Sequence, residues 1–117
     1  MKNTKQTRVD AEYARISELL VDLDEKKREM IDGLIRRAAY LRIVLEDAED
    51  DITKNGMVES FSQSDKAQPY ERLRPVANIF SSTTKNYQAA MKQLIEALPE
   101  KTQKSAAEEI KKYIERR

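Results

Sequence analysis

Residues 70–100 read YERLRPVANIFSSTTKNYQAAMKQLIEALPE, and two of the three prolines of the chain lie near the ends of this stretch. Between the prolines, apolar residues recur at steps of four and three, the spacing of one face of an α-helix. Because proline fits only the first turn of a helix, Pro75 marks its start and Pro99 its end. Thr84 puts a polar side chain on this face, where such a residue can fix register or oligomeric state. The predicted face consists of Leu73, Ala77, Phe80, Thr84, Tyr87, Met91, Leu94 and Leu98.

A longer helix is predicted before this one. Its pattern runs from Glu25 to about Lys54, and Gly56 ends it because glycine readily adopts the left-handed conformation that closes a helix. At 1.5 Å per residue, about 30 residues extend over about 45 Å. Additional apolar residues widen its stripe beyond a two-helix seam, so we expect it to pack against more than one neighbour. The stripe consists of Ile31, Leu34, Ala38, Leu41, Leu45, Ala48 and Ile52, widened by Ile35, Ile43 and Val44.

The segment between the two helices has a different composition. Within residues 57–69, MVESF alternates apolar and polar side chains as a short strand does, and SQSDKAQ is typical of a loop. We predict a crossover or a small hairpin there, within a loop over residues 56–70. Long helices joined by a loop pack antiparallel. The predicted fold class is therefore all-α: a long antiparallel helical hairpin over residues 25–99 with short flanking N- and C-terminal helices, assembling into a ring-forming oligomer.

The N-terminal residues 1–24 are predicted to form a basic arm and a short helix. The first eight residues are polar and basic with nothing to bury, which favours a mobile arm. Asp10 is the expected N-cap of a helix that continues to about Val21. Asp22, with Glu25 as its capping-box partner, is then expected to start the long helix after a turn.

The C-terminal residues 100–117 are predicted to form a short charged helix. Ser105 and Glu108 have capping-box spacing, and the segment offers few apolar residues for packing. Such a helix is marginal on its own.

Composition excludes several classes of function. The 117 residues include no cysteine and no histidine, which removes disulfides, thiol nucleophiles and the usual zinc ligands. No glycine-rich phosphate loop or nucleophile elbow occurs. We therefore expect a protein that is not an enzyme and uses no cofactor and no metal. Neither a signal peptide nor a membrane span is visible, so a soluble, intracellular protein without a membrane partner is expected.

An acidic cluster, EDAEDD at residues 46–51, lies near the end of the long helix. Paired carboxylates can hold a divalent cation. These residues wrap around the helix, however, and lie where the helix dipole disfavours negative charge. A solvated face or salt bridges to a basic patch on a partner subunit are therefore the favoured interpretations over a metal site.

Basic residues concentrate in four places, although 22 Lys and Arg nearly balance 21 Asp and Glu. Two groups lie inside the long helix, at residues 26–28 and around Arg36, Arg37 and Arg42, and for each a solvated helix face is favoured. The other two lie at the ends of the chain. If several subunits place the same group around a ring, their contacts to phosphates add and become strongly salt dependent. The candidate DNA-binding residues are Lys2, Lys5, Arg8, Lys111, Lys112, Arg116 and Arg117.

The order of these features resembles the small subunit of phage terminases, the P27-like group in particular. The resemblance covers about residues 25–100 and rests on four features. They are the acidic helix end with Asn55-Gly56, Pro75 just inside the last long helix, the segment from Phe80 to Tyr87 with Lys85-Asn86-Tyr87, and the closing Leu98-Pro99. It implies a DNA-packaging component without enzymatic activity, in the cytoplasm of an infected bacterial host. Such subunits assemble into a ring, bind double-stranded viral DNA at the packaging site and present it to the large terminase subunit, which carries the ATPase and nuclease.

One feature of many small terminase subunits is missing. About 24 residues precede the long helix, too few for an N-terminal helix-turn-helix module. DNA contact would then use the arm, the C-terminal residues or a ring surface.

Oligomerisation is predicted through the two apolar stripes. The alternative is a structural coiled-coil interaction module that does not bind DNA; a small DNA-binding regulator is less favoured, because no recognition helix is visible. A closed ring distinguishes the first interpretation, and a monomer or dimer the second. The residues predicted to oligomerise are Ile31, Leu34, Leu41, Leu45, Phe80, Tyr87, Met91 and Leu94.

Overall fold

A computed structural model describes residues 4–99 together with Lys104, Glu108 and Lys111. The chain is mostly helical and carries a small two-stranded sheet. The three isolated residues have helical backbone conformation; the rest of the C-terminal helix predicted over residues 100–117 lies outside the described residues. The elements in order are α1 (Thr4–Leu19), α2 (Glu25–Asn55), β1 (Val58–Phe61), β2 (Tyr70–Leu73) and α3 (Pro75–Ala97).

Helix α1 begins earlier than predicted. The sequence placed a mobile arm before Asp10, but the helix already begins at Thr4 and Asp10 lies inside it. The physical reason is tertiary: Lys5 lies 5.1 Å from the ring centroid of Tyr40 on α2, and the guanidinium of Arg8 is bound by carboxylates of α2. Helix–helix contacts of this kind stabilise a turn that its own residues would not.

Helix α2 has the predicted length, but its N-cap is Asp24 and not Asp22. The Asp24 carboxylate accepts a hydrogen bond from the amide of Lys27 at 2.8 Å. Leu23 is buried at the turn, and its amide donates to the carbonyl of Leu20. Because Leu23 is buried in the turn, helix α2 begins after it and Asp24 takes the N-cap position. At the other end the helix stops before Gly56 as predicted, and the Gly56 N–H donates to the carbonyl of Ile52 at 2.7 Å. Gly56 has a positive φ of 81°, but its ψ of 177° differs from that of the predicted left-handed helical conformation.

The segment after α2 is a small antiparallel hairpin, one of the two predicted possibilities. Strand β1 confirms the strand that the alternation in MVESF predicts. Strand β2 was not predicted, because the sequence pattern places its first residue in the loop and its last, Leu73, on the face of the following helix. Leu73 illustrates the error, since it pairs with Val58 and is 54% exposed instead of lying on the apolar face of α3. Proline restricts the preceding residue to extended conformations. Arg74 accordingly has ψ 146°, and its N–H extends the strand pairing to the carbonyl of Met57.

Helix α3 begins at Pro75 and ends at Ala97, two residues before Pro99, as expected. The buried polar residue on this helix is Thr83 rather than Thr84. The hydroxyl of Thr84 donates to the carbonyl of Phe80 one turn earlier, at 2.8 Å.

The three helices share one core on α2. Ile16 of α1, Leu20 of the turn after it, Ile35 of α2 and Leu94 of α3 are almost completely buried in it. Ala38 and Ala39, both with 0% exposure, keep the α2 backbone close to its neighbours. The prediction that α2 packs against more than one helix is therefore confirmed. The core residues are Ile16, Leu20, Leu23, Ile35, Ala38, Ala39, Ala90, Leu94 and Leu98.

Candidate assembly and nucleic-acid surfaces

The acidic cluster of α2 finds its counter-charges within the same chain. Arg8 donates to Glu46 at 2.9 Å and to Asp47 at 2.7 Å, and the second oxygen of Glu46 accepts from Arg42 at 3.2 Å. The hydrogen bond from Arg8, with that from Arg42, holds the pKa of the Glu46 carboxyl below its usual value. The cluster thus joins α1 to α2, and its pairing does not require a basic patch on another subunit.

The end of the cluster ties the hairpin to the helices. Arg74 donates to the carboxylate of Asp51 at 2.8 Å and to the carbonyl of Gly56 at 2.6 Å. Hydrogen bonds from Asn55 and then Arg74 lower the pKa of Asp51. Sequence reasoning missed this contact because Arg74 and Asp51 are 23 positions apart and no local pattern links them. The contact holds the beginning of α3 close to the end of α2.

A second polar cluster joins the middle of α1 to α2. The Tyr13 hydroxyl donates to the carboxylate of Asp32, which also accepts from Arg36 at 2.8 Å. The Arg36 guanidinium lies 4.4 Å from the Tyr13 ring centroid, a cation–π distance. Hydrogen bonds from Tyr13 and Arg36 lower the pKa of Asp32. Arg36 is exposed, as a residue of the predicted solvated helix face should be, and it makes this contact at the same time.

The candidate DNA-binding residues have different environments. Lys5 lies over Tyr40, and the Arg8 guanidinium is held by two carboxylates, so neither extends freely from the chain. Lys111 is exposed. Lys2, Lys112, Arg116 and Arg117 lie outside the described residues.

Further cations on α2 and α3 are exposed and make no ion pair in the part of the chain that the structure describes. On α3, Lys85 and Lys92 lie four residues before and three residues after Ala89, and therefore along one side of the helix. Spacing within α2 likewise places Lys26 and Arg37 on one side, eleven residues apart. The exposed cations are Lys26, Lys27, Arg37, Lys85 and Lys92.

The predicted oligomerisation residues mostly pack within the chain. Leu45 and Leu94 are buried, Leu94 with 1% exposure, so they cannot contact another copy without opening the protomer. A helical repeat shows that a face is apolar but not whether the same chain or another covers it, and in this structure the same chain covers these two residues. The remaining six are half-buried: Ile31, Leu34, Leu41, Phe80, Tyr87 and Met91.

A groove remains open between α2 and α3. It has a volume of about 230 Å³ and is lined by Leu34, Arg37 and Leu41 of α2 and by Ala89 and Ala90 of α3. The amides of Asn86 and Gln93 complete the lining, so its one charged residue is a cation. We refer to this feature as the α2–α3 groove.

The groove opens on the side of α2 away from α1. Arg36 faces Tyr13 of α1, and Arg37 is rotated from it by about 100° around the helix axis. Met30 lies seven residues before Arg37 on the same side and is 85% exposed. Ile79 of α3 is also more than half exposed. This side of the α2–α3 pair is thus partly apolar and is not covered by α1.

The described residues contain neither a cluster suited to a metal ion nor a membrane-spanning helix. Within residues 4–99 and the three isolated positions, no group of three or more acidic residues is arranged to hold a metal ion. No helix among the described residues is long and apolar enough to span a membrane.

The described part of the chain is thus a small helical protein that has an open groove between two helices and several exposed cations. No protein-family model, curated protein or solved structure matches the chain.

Proposed function

We propose that this protein is a small terminase subunit: it assembles into a ring, binds double-stranded viral DNA at the packaging site and presents it to the large terminase subunit. The observation that carries the proposal is the open α2–α3 groove. Leu34, Leu41 and Ala89 contribute apolar surface to its lining. Burying this surface against another chain would stabilise an assembly. A protomer with such a surface is suited to repeated assembly, as the resemblance over residues 25–100 implies.

The role proposed for this subunit requires no chemistry of its own. Cleavage and ATP hydrolysis belong to the large subunit, and the chain contains neither the histidine nor the cysteine on which many catalytic sites depend. Its contribution would be to position DNA and to recruit the large subunit.

DNA contact is assigned chiefly to the C-terminal cations. Freeing Arg8 for a phosphate would break two charge-assisted hydrogen bonds, to Glu46 and Asp47. Lys111 is exposed, and Lys112, Arg116 and Arg117 follow it in the sequence. Repeated around a ring, this group would concentrate positive charge although each chain has a net charge of only +1.

The second candidate is an interaction module that assembles but does not bind DNA. The pairing of Arg8 favours it, because this pairing reduces the positive charge available for phosphates. In that case the groove would serve protein contacts alone.

DNA binding under varied salt distinguishes the two candidates. Anisotropy of a labelled duplex, titrated with the full chain from about 50 to 200 mM salt, should show affinity falling steeply with salt. Replacing Lys111, Lys112, Arg116 and Arg117 by glutamine should weaken binding and lower the slope of log affinity against log salt by about 0.9 per lost phosphate contact. The matched control replaces Lys26, Lys27, Lys54 and Lys66, four exposed cations that do not line the α2–α3 groove, by glutamine. If the two variants bind equally well, the C-terminal assignment is wrong; if the unmodified chain does not bind, the interaction module is favoured.

A further inference from the structure

The turn between α1 and α2 exposes apolar side chains in acidic surroundings. Leu19 is 59% exposed and Val21 62%, although Leu20 between them is buried in the core. Residues 16–25 include four acidic residues and no Lys or Arg. Glu18 and Asp22 flank the two exposed side chains and are themselves exposed. We refer to residues 18–22 as the corner.

The corner and the α2–α3 groove have complementary properties. The corner is an exposed apolar pair flanked by carboxylates, whereas the groove is a concave surface with several apolar residues in its lining. Arg37 is the charged residue in the groove lining, and Lys85 and Lys92 lie along the same side of α3 as Ala89. Opposite charges around an apolar contact favour one orientation and speed encounter between the partners.

We propose that the corner of one copy docks in the α2–α3 groove of a second copy, with Leu19 and Val21 against Leu34, Leu41 and Ala89, and with Asp22 and Glu18 facing Arg37 and the two lysines. This inference rests on the self-assembly in the proposed function and names the surfaces that perform it. The occupant is a second copy because the same chain supplies both the acidic apolar protrusion and the cationic apolar groove.

The contact joins two different patches and can therefore repeat. Along α2, Arg37 lies twelve residues from Glu25, about 18 Å from the end of the helix next to the corner. A head-to-tail contact between different patches leaves each end of a pair able to bind another copy. It closes into a ring when the rotation between copies allows.

Two single variants and their mixture test the contact in the full chain. Val21→Asp should remove the protrusion and leave the groove intact, whereas Ala89→Arg should block the groove and leave the corner intact. Both positions are exposed, so circular dichroism should show unchanged helicity and melting. Each variant alone should be monomeric by native mass spectrometry, and an equimolar mixture should form a one-to-one dimer. Wild-type mass in either variant, or no dimer in the mixture, would overturn the proposal.

A charge exchange tests the orientation independently. Arg37→Glu and Asp22→Lys should each raise the concentration at half-assembly by about tenfold, and the double variant should recover much of that loss. Lys66→Glu, in the loop between the strands, is the matched control and should assemble like wild type. Equal effects of Arg37→Glu and Lys66→Glu, or no recovery in the double variant, would contradict the proposed pairing.

The native mass of the unmodified chain distinguishes failure of the corner–groove contact from failure of the proposed function. A large assembly that tolerates all of these substitutions retains the proposed function and overturns the corner–groove contact. A unit that never exceeds two copies overturns the head-to-tail repeat, and with it the ring.

Discussion

Arg8 on α1 donates to Asp47 on α2 at 2.7 Å, across 39 positions of sequence. The same guanidinium also binds Glu46. A residue that the sequence places in a mobile basic arm is thus part of the contact that orders the first helix.

Replacing Arg8 by alanine should loosen the beginning of α1. The variant loses both charge-assisted hydrogen bonds to α2, so amides of residues 5–12 should exchange faster with solvent and the melting temperature should fall. Hydrogen exchange followed by mass spectrometry measures this directly. Lys66→Ala removes an exposed cation in the loop between the strands, away from the α2–α3 groove, and serves as the control. If it has the same effect on α1, the Arg8 contact contributes nothing specific.

Stability should fall in acid below about pH 4.5. The pKa values of Asp32, Glu46 and Asp51 lie below their ordinary values of 3.8, 4.5 and 3.8 in the folded chain. Groups with a depressed folded pKa stabilise the protein above their unfolded pKa, and this contribution is lost as the pH falls through the folded value. Urea unfolding between pH 7 and pH 3 measures the change. The loss should be smaller in Asp32→Asn, and an unchanged pH dependence in that variant would contradict the role of the Tyr13–Asp32–Arg36 cluster.

Leu94→Ala should destabilise the protomer by about 2–5 kcal/mol, because it removes a fully buried side chain from the three-helix core. Leu94→Asp should abolish folding instead of merely dissolving an oligomer. Denaturant unfolding and far-ultraviolet circular dichroism distinguish these results. An exposed residue of the same helix that does not line the α2–α3 groove provides the control, and Gln88→Ala should unfold like wild type. A fully helical monomer of Leu94→Asp would show that Leu94 lies at a subunit interface after all.

The two glycines should respond oppositely to alanine. A Cβ on Gly33 would meet no atom within 4 Å, so Gly33→Ala should raise the stability of α2 by about 1 kcal/mol through helix propensity. Gly56 has φ +81°, which side chains rarely adopt, so Gly56→Ala should be destabilising. Thermal melts compare the two. A loss of stability in Gly33→Ala would indicate that another molecule approaches the helix closely at this position.

Features with a local cause could be predicted from the sequence. Gly56 and Pro75 act through their own backbone preferences, so the end of α2 and the beginning of α3 were placed closely. Thr4 could not be recognised as the start of α1, because its turn depends on carboxylates about 40 positions away. Leu73 has the spacing of the helical repeat but lies in a strand. A four-residue strand shows too little alternation to be recognised next to a long helical pattern.

The candidate surface was only partly predictable for a related reason. Leu34 and Leu41 were correctly recognised as apolar positions of α2. Which of their sides faces α3 depends on how the three helices share one core, and on Ala38 and Ala39 allowing that close packing. Helical spacing alone does not determine this.

The native mass of the full chain, alone and with duplex DNA at low salt, tests the central claim most directly. A series of concentrations measured by native mass spectrometry and light scattering should show a closed assembly of several copies whose mass increases when DNA is added. A monomer at every concentration, with a mass unchanged by DNA, would contradict both the assembly and the packaging role.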